Sequence, residues 1–559
     1  MRSVTLGPVR LSILEGDLRA ITFDGVEVLR RLSYPVRDPN WGTHPTETLE
    51  ERLEEEAGRI RYLHRFRGRE AGFTGVFRVE VTAEDGAARI RAEVSLEAEA
   101  DLAVNRAGFT LLHPLRGVSG QALRVRHADG DEEATVWPAL ISPSQPVFDI
   151  AGLAHEVEGV SVEIAMQGEV FEMEDQRNWS DASFKTYCRP LRLPLPFTLG
   201  PTAPVGQMVE ITLSGRAKGA AAQVAARRAR LPVVEMAVEP GLTALPRHPD
   251  LPDLPRLIRL EAGVSDAVLA GLAGGRADAL EIVLAEGDDP EVVLRGLAER
   301  LTVAGLRPER VMALPAPYLK SHQPEGPWPD GPRPIDLIAP LRAAFPGVAV
   351  GGGMLTNFTE FNRCRPDAGL VDYVTWGGTA IVHAADDLSV LETLEALPEI
   401  FASGRALAGG RPLHLGLFSI GMRSNPYAAA CLPNPGRERL AMVQDDPRQG
   451  TGFDAAFAVG VLAGAAVEGV ASLALAMADG PLGASGDLAR VVAWAAARAG
   501  EPVEVETGPV ETGPVETGPV VAIRSAKGRL IANLTVEARE NPFGAGILAP
   551  ASVVIEDGA

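Results

Sequence analysis

Cysteine is nearly missing from this chain: Cys188, Cys364 and Cys431 are an odd number, far apart in 559 residues. That scarcity argues against a disulfide framework and against a cysteine-rich zinc site. Lysine is almost as rare, with four residues, and the remaining basic charge is all arginine. No apolar run reaches the roughly 18–20 residues of a membrane span; the nearest, Phe453–Val467, is short, Gly/Ala-rich and interrupted. The formal charge is −21, and the arginines are interspersed with acids rather than gathered in a stripe. Nucleic acid and anionic membrane surfaces are therefore not expected partners. The N-terminus alternates like a strand and lacks the basic-then-apolar order of a signal peptide, so a cytoplasmic location is expected. No GxGxxG opens a helix after a first strand, and no GxxxxGK[ST], HExxH or GxSxG occurs. Nucleotide binding, zinc hydrolysis and a serine nucleophile thus lack their usual signatures, and neither cofactor nor metal is expected.

What is present describes a soluble multidomain protein, with 46% hydrophobic and 23% charged residues. Residues 1–230 read as β. Short segments such as Val4-Leu6 and Val9-Leu11-Ile13 are separated by Gly and Asp turns. Period-two alternation marks Phe77-Val79-Val81 and Ile90-Ala92-Val94-Leu96. This spacing predicts an N-terminal β-sandwich, with Leu49–Glu56 as a short acidic helix or loop and LRLPLPFTL as a late strand. From 231 to 499 strand-like runs alternate with amphipathic windows. The runs are Leu257–Leu260, Leu280–Leu284, Val311–Leu314, Val348–Gly351, Val371–Trp376, Leu413–Phe418 and Ser472–Ala476. The windows include Pro290–Ala304, Pro334–Phe345, Ser389–Ala408 and Gly452–Val467. This alternation predicts a (β/α)8 TIM barrel, with Val233–Val238 as the eighth strand. Residues 500–559 open with three tandem VETGP units, read as a flexible linker, and close with a small β-domain.

The stretch Phe171–Tyr187, FEMEDQRNWSDASFKTY, mixes Glu172, Glu174, Asp175, Arg177, Asn178, Asp181 and Lys185 among four aromatics. Mixed charge between large rings is costly to desolvate unless it pairs or meets a polar ligand. The motif reads either as a polar network beside a pocket or as a clamp of satisfied ion pairs. In a barrel, chemistry sits at the C-terminal strand ends. After the run at Val348–Gly351 come Asn357, Glu360, Asn362 and Arg363, with Glu360 just beyond a triple glycine. After Val371–Trp376 come His383, Asp386 and Asp387; the aspartates precede a helix and could simply cap it. After Leu413–Phe418 come Arg423 and Asn425, which could pin a loop, and then DDPRQ.

Together FEMEDQRNWSDASFKTY, GGG…FTEFNRCRP, VHAADDLSVLETLEALPEI, RSNPYA, DDPRQ and LIANLT resemble the D-apionate lactonases (D-apionolactonases) over almost the whole chain. The resemblance implies the same three-part architecture and the opening of a small sugar lactone in apiose catabolism. It transfers no catalytic residue. The residues themselves suggest that Glu360 or His383 activates water. Lys185, Arg363 or Arg423 would polarise the carbonyl, and Glu174, Asn357, Asn362, Asp386, Asp387 and Asn425 would hold hydroxyls. A glycoside hydrolase is the rival reading, but it needs a second carboxylate beside Glu360. The first candidate after the last strand is Asp479. A non-catalytic sugar-binding protein is the third.

Overall fold

The computed structural model describes residues 2–84, 86–218, 225–240, 251–273, 278–508 and 520–557. It divides into two compact units, with Arg177–Asp181 belonging to the second, barrel-containing unit and the chain on either side of it to the first.

The first unit is β. Among the described residues sixteen strands join in one hydrogen-bonded sheet. Arg2–Leu6, Val9–Leu14, Asp17–Phe23 and Val26–Ser33 form a meander at one end. Ala87–Ala98, Phe73–Glu84, Arg59–Gly68 and Thr46–Glu56 form the other. Alternation drives the layering: in Arg59–Gly68 the residues Ile60, Tyr62, His64 and Phe66 are buried and the arginines between them are not. The sheet folds over on itself, so that Tyr34, just after the meander, packs its ring 4.4 Å from Phe77 of the far end. Two expectations need correction. Leu49–Glu56 is not a helix or loop but part of the edge strand Thr46–Glu56. Its side chains are exposed on both faces, so it carries no alternation to read. Of LRLPLPFTL, only Phe197–Leu199 is a strand.

In the second unit eight parallel strands close into a barrel. In order they are Val233–Val238, Arg256–Glu261, Asp278–Leu284, Pro308–Pro315, Ala349–Asn357, Tyr373–Thr379, His414–Ser419 and Ser472–Met477. Val233–Val238 is the missing strand: it pairs with both Arg256–Glu261 and Ser472–Met477 and so completes the ring. Asp387–Leu407 and Gly452–Val467 are the long outer helices on this side. The second, GFDAAFAVGVLAGAAV, is apolar almost all round because both its sides are covered. It packs on its helical neighbours and on a five-stranded antiparallel sheet. That sheet comprises Ala225–Arg230, Pro502–Thr507, Val520–Ser525, Gly528–Asn533 and Ser552–Asp557. Most of the VETGP repeat lies outside the described residues. No helix among the described residues is long and apolar enough to cross a membrane.

Candidate active site

The fifth barrel strand ends at Asn357 and runs straight into the short helix Phe358–Arg363. Asn357 is the N-cap and Glu360 stands three residues on, its Oε2 accepting the Asn357 backbone N–H at 3.0 Å. Burial raises the Glu360 carboxyl above its ordinary value; the Ser321 hydroxyl, the Asn357 N–H, Arg363 and Thr356 oppose that rise. Glu360 Oε1, Asn357 Nδ2 and Thr356 Oγ1 are buried without a well-formed hydrogen bond. Asn425, beyond the seventh strand, accepts the Tyr427 and Ala428 N–H groups at 2.9 and 3.2 Å, leaving its own buried Nδ2 without an acceptor. Tyr427 links the two strand ends: its hydroxyl is 3.3 Å from Thr359 Oγ1, and Glu360 is among the charges acting on it. Asn425 Nδ2, a buried donor without an acceptor, and the loosely bonded polar groups around Glu360 suit a ligand rich in hydroxyls.

Arg177–Asp181, from the charged aromatic motif, is anchored on this helix. The Asn178 carbonyl accepts the Thr359 hydroxyl at 2.6 Å, and Asn178 Oδ1 accepts Asn362 Nδ2 at 3.0 Å. Arg365 donates in turn to Asn362 Oδ1 at 3.0 Å. Arg177 is fully buried and pairs with Glu399 at 2.6 Å. Ser180, with φ of +69°, then turns the chain through the left-handed region. Asp181 Oδ2 thereby comes within 2.5 Å of His383 Nδ1. Trp179 stands edge-on to the His383 ring with centroids 5.6 Å apart. The Arg363 guanidinium lies 5.2 Å from the centre of the same indole and donates to the Ser321 hydroxyl at 3.2 Å. This contact engages Nδ1 and leaves His383 Nε2 outside that hydrogen bond.

Residues 1–216 match the family model described as D-apionate lactonase, N-terminal domain, and residues 267–504 match D-apionate lactonase, TIM barrel domain. A D-apionate lactonase of Brucella anthropi is 37% identical over 506 residues, which cover 85% of this chain and 82% of that protein. The chain belongs to the D-apionate lactonase family. Among solved structures, a galactose mutarotase-like protein from Lactobacillus casei is 12% identical with a TM-score of 0.27, covering 38% of this chain and 99% of its own. A GH36 alpha-galactosidase from Geobacillus stearothermophilus is 11% identical with a TM-score of 0.26, covering 96% and 91%. At such scores the likeness bears on neither activity nor site.

In this lactonase-family barrel Arg423 reaches inward from the loop after the seventh strand. Its Nε donates to Glu239 at 3.1 Å and its Nη1 to Glu281 at 2.8 Å, while the buried Nη2 has no acceptor. Arg259 donates to the same Glu281 oxygen at 2.9 Å and to the Leu355 carbonyl at 2.6 Å. Burial alone would raise Glu281, but the two arginines outweigh it and hold the carboxyl below its usual range. Asp386 caps the helix Asp387–Leu407, accepting the Ser389 N–H at 3.0 Å and the Ser389 hydroxyl at 2.6 Å. Asp387 pairs with Arg448 at 3.1 Å and Arg439 at 3.0 Å. Both carboxylates are thus engaged by the scaffold, as Asn362 is by Asn178 and Arg365. Lys185 and Glu174 lie in the first unit, paired at 2.9 Å.

Several residues here drew no nomination from the sequence. Asp181 and Trp179 sat inside the motif, but their partner His383 is 202 residues away in the chain. Arg259 and Glu281 lay in runs read as apolar. A single charge flanked by aliphatics within a barrel strand was the available signal, because such a charge must pair inside the lumen.

Proposed function

We propose that the chain hydrolyses the ester bond of a sugar lactone, D-apionolactone or a closely related aldonolactone, in apiose catabolism. Family membership supports the reaction class, and the Asp181–His383 pair is the observation that supports the chemistry. His383 Nε2 takes a proton from water as the oxygen attacks the lactone carbonyl carbon. Arg363, against the Trp179 indole, offers guanidinium N–H groups to the developing oxyanion, and Arg423 Nη2 is a second candidate donor. When the tetrahedral intermediate collapses, the bond from carbonyl carbon to ring oxygen breaks, and the proton held on Nε2 passes to that oxygen. The product is the open-chain hydroxy acid. Asp181 holds the imidazole in one tautomer throughout and favours the imidazolium that forms. Asn425 supplies a free buried donor, and Asn357 and Glu360 exchangeable polar groups, that a polyhydroxylated substrate would engage.

The test is an assay of the purified chain against D-apionolactone, other aldonolactones and aryl glycosides. Acid release from lactones alone, lost in His383→Ala, is expected. Sugar release from the glycosides, or full lactonase activity in a folded His383→Ala protein, would overturn the reading.

A further inference from the structure

Arg106, in the first unit, is 3% exposed, yet none of the described residues hydrogen-bonds to it or forms an ion pair with it. Its guanidinium instead lies over two rings, 3.9 Å from the centre of Tyr187 and 5.5 Å from that of Trp41. A buried guanidinium with no acceptor is costly, because water solvates it and this protein does not.

The neighbourhood sharpens the anomaly. Arg106 pairs directly opposite Arg37 in an antiparallel ladder, which puts two like charges on one face of the strand pair. Lys185, 7% exposed, is close enough that both arginines act on it. Burial, with those charges, pushes its ammonium down to about 8, against the pull of Glu174. Two carboxylates face these three cations. Glu174 is bound to Lys185. Glu172 is occupied by the Tyr187 hydroxyl and by the Leu191 N–H at 2.7 Å. Glu172 acts on Arg106 through space, but no described side chain accepts a hydrogen bond from its guanidinium.

Trp41 is the remaining piece. It sits at φ +68°, a conformation bulky residues seldom adopt, in a turn where Asp38 accepts the Asn40 and Gly42 N–H groups at 2.7 and 2.9 Å. That turn lays a ring 39% exposed over the buried guanidinium.

We propose that this cluster is a second small-molecule site, in which Arg106 takes the carboxylate of a sugar acid beside the exposed Trp41 ring. A single guanidinium without an acceptor fits a monocarboxylate better than a dianionic phosphate. An amphipathic ring fits the C–H face of a polyol, and Glu172 and Glu174 can accept hydroxyl hydrogens. Choosing the acid rests on the lactonase reading, since D-apionate is the acid that reaction releases.

The test uses the full chain and intrinsic tryptophan fluorescence, titrated with D-apionate, with the matching alditol and with inorganic phosphate. The difference between wild type and Trp41→Phe isolates the signal of this site. D-apionate is expected to change that difference signal saturably, the alditol and phosphate much less. Arg106→Gln should weaken binding about tenfold or more, as loss of a charge-assisted hydrogen bond does. Arg106→Lys, which keeps the charge, should lie between. Trp41→Ala, on a half-exposed turn, should also weaken binding when read by calorimetry, and it guards against misfolding of the buried variants. No difference signal, equal response to the alditol or to phosphate, or unchanged affinity in folded Arg106→Gln would overturn the proposal. Lactonase activity measured on the same preparation is a separate readout, so failure of the barrel chemistry and failure of this site are told apart.

Discussion

Asp181 holds His383 through the Nδ1 atom at 2.5 Å, across 202 residues of chain. The contact pairs the turn after Trp179 with the loop after the sixth barrel strand. It leaves Nε2 outside that hydrogen bond, in a ring that stands edge-on to Trp179. For ester hydrolysis His383→Ala should lower kcat/KM by about a hundredfold or more. Asp181→Asn should lower kcat with little change in KM, because it alters the imidazole rather than the binding groups. Steady-state kinetics with unchanged melting temperatures would check both. Activity in Asp181→Asn equal to wild type would remove the pair from the mechanism.

Thr359→Val tests the anchor beneath that pair. The substitution keeps the volume of the side chain but deletes the hydroxyl that holds the Asn178 carbonyl at 2.6 Å. A stability loss of about 1 kcal/mol is expected from one buried hydrogen bond. The larger effect should be on kcat, since Asp181 is three residues along. Chemical denaturation and kinetics on the same preparation separate the two.

Glu281 should be the most sensitive barrel residue for stability. Its carboxylate pairs with two buried arginines, Arg259 and Arg423. Glu281→Ala would leave both without that partner, and breaking such a buried pair commonly costs about 3–5 kcal/mol. A Glu281→Ala protein melting within a degree or two of wild type would show the network to be dispensable.

Asp454 gives a pH signature. Buried at the start of Gly452–Val467, with the Gly450 N–H bound at 2.9 Å, its carboxyl is pushed up by that burial to about 7. In the unfolded chain it titrates near 3.8. Because the folded value is the higher one, the native state holds this proton longer. Its contribution is complete below about pH 4 and is lost as pH rises through about 7. Across that window the slope approaches about 1.4 kcal/mol per pH unit for one group. Asp454→Asn keeps an acceptor for Gly450 and should flatten this part of the profile. Urea midpoints measured from pH 4.5 to 8 would show the difference between the two proteins shrinking or reversing as pH rises.

Gly404→Ala addresses the packing of the outer helix. A Cβ at residue 404 would stand 2.1 Å from the buried Trp376 ring. Overpacking of a rigid aromatic costs about 1–3 kcal/mol. The gain in helix propensity on replacing glycine is about 1 kcal/mol and would not offset the upper part of that range. A lower melting temperature is expected, with kcat nearly unchanged.

Much of this architecture was legible because barrel strands carry apolar runs of the right length between amphipathic windows. Val233–Val238 and Ser472–Met477 fit that pattern and close the ring. Thr46–Glu56 was not legible: an edge strand exposed on both faces has no buried side to impose period two. At the strand ends Asn357, Glu360, Arg363, His383 and Asn425 could be named, since loops after barrel strands are where polar clusters matter. What could not be read was pairing. Nothing near His383 in the chain points to Asp181, and nothing near Arg106 marks a guanidinium without an acceptor. Such facts belong to contacts between distant segments, and one chain read alone contains no covariation to reveal them.

The five residues Arg177–Asp181 have a practical consequence for anyone cutting the gene. A fragment starting at the barrel's own first strand would fold, if at all, without the carboxylate that steers His383. Conversely, a module ending before the barrel would carry a polar hairpin tip, rich in Arg177, Asn178 and Trp179, with nothing to receive it. Modular exchange at the apparent boundary should thus fail for a reason of bookkeeping in space: the barrel unit borrows a fingertip from the half written earlier.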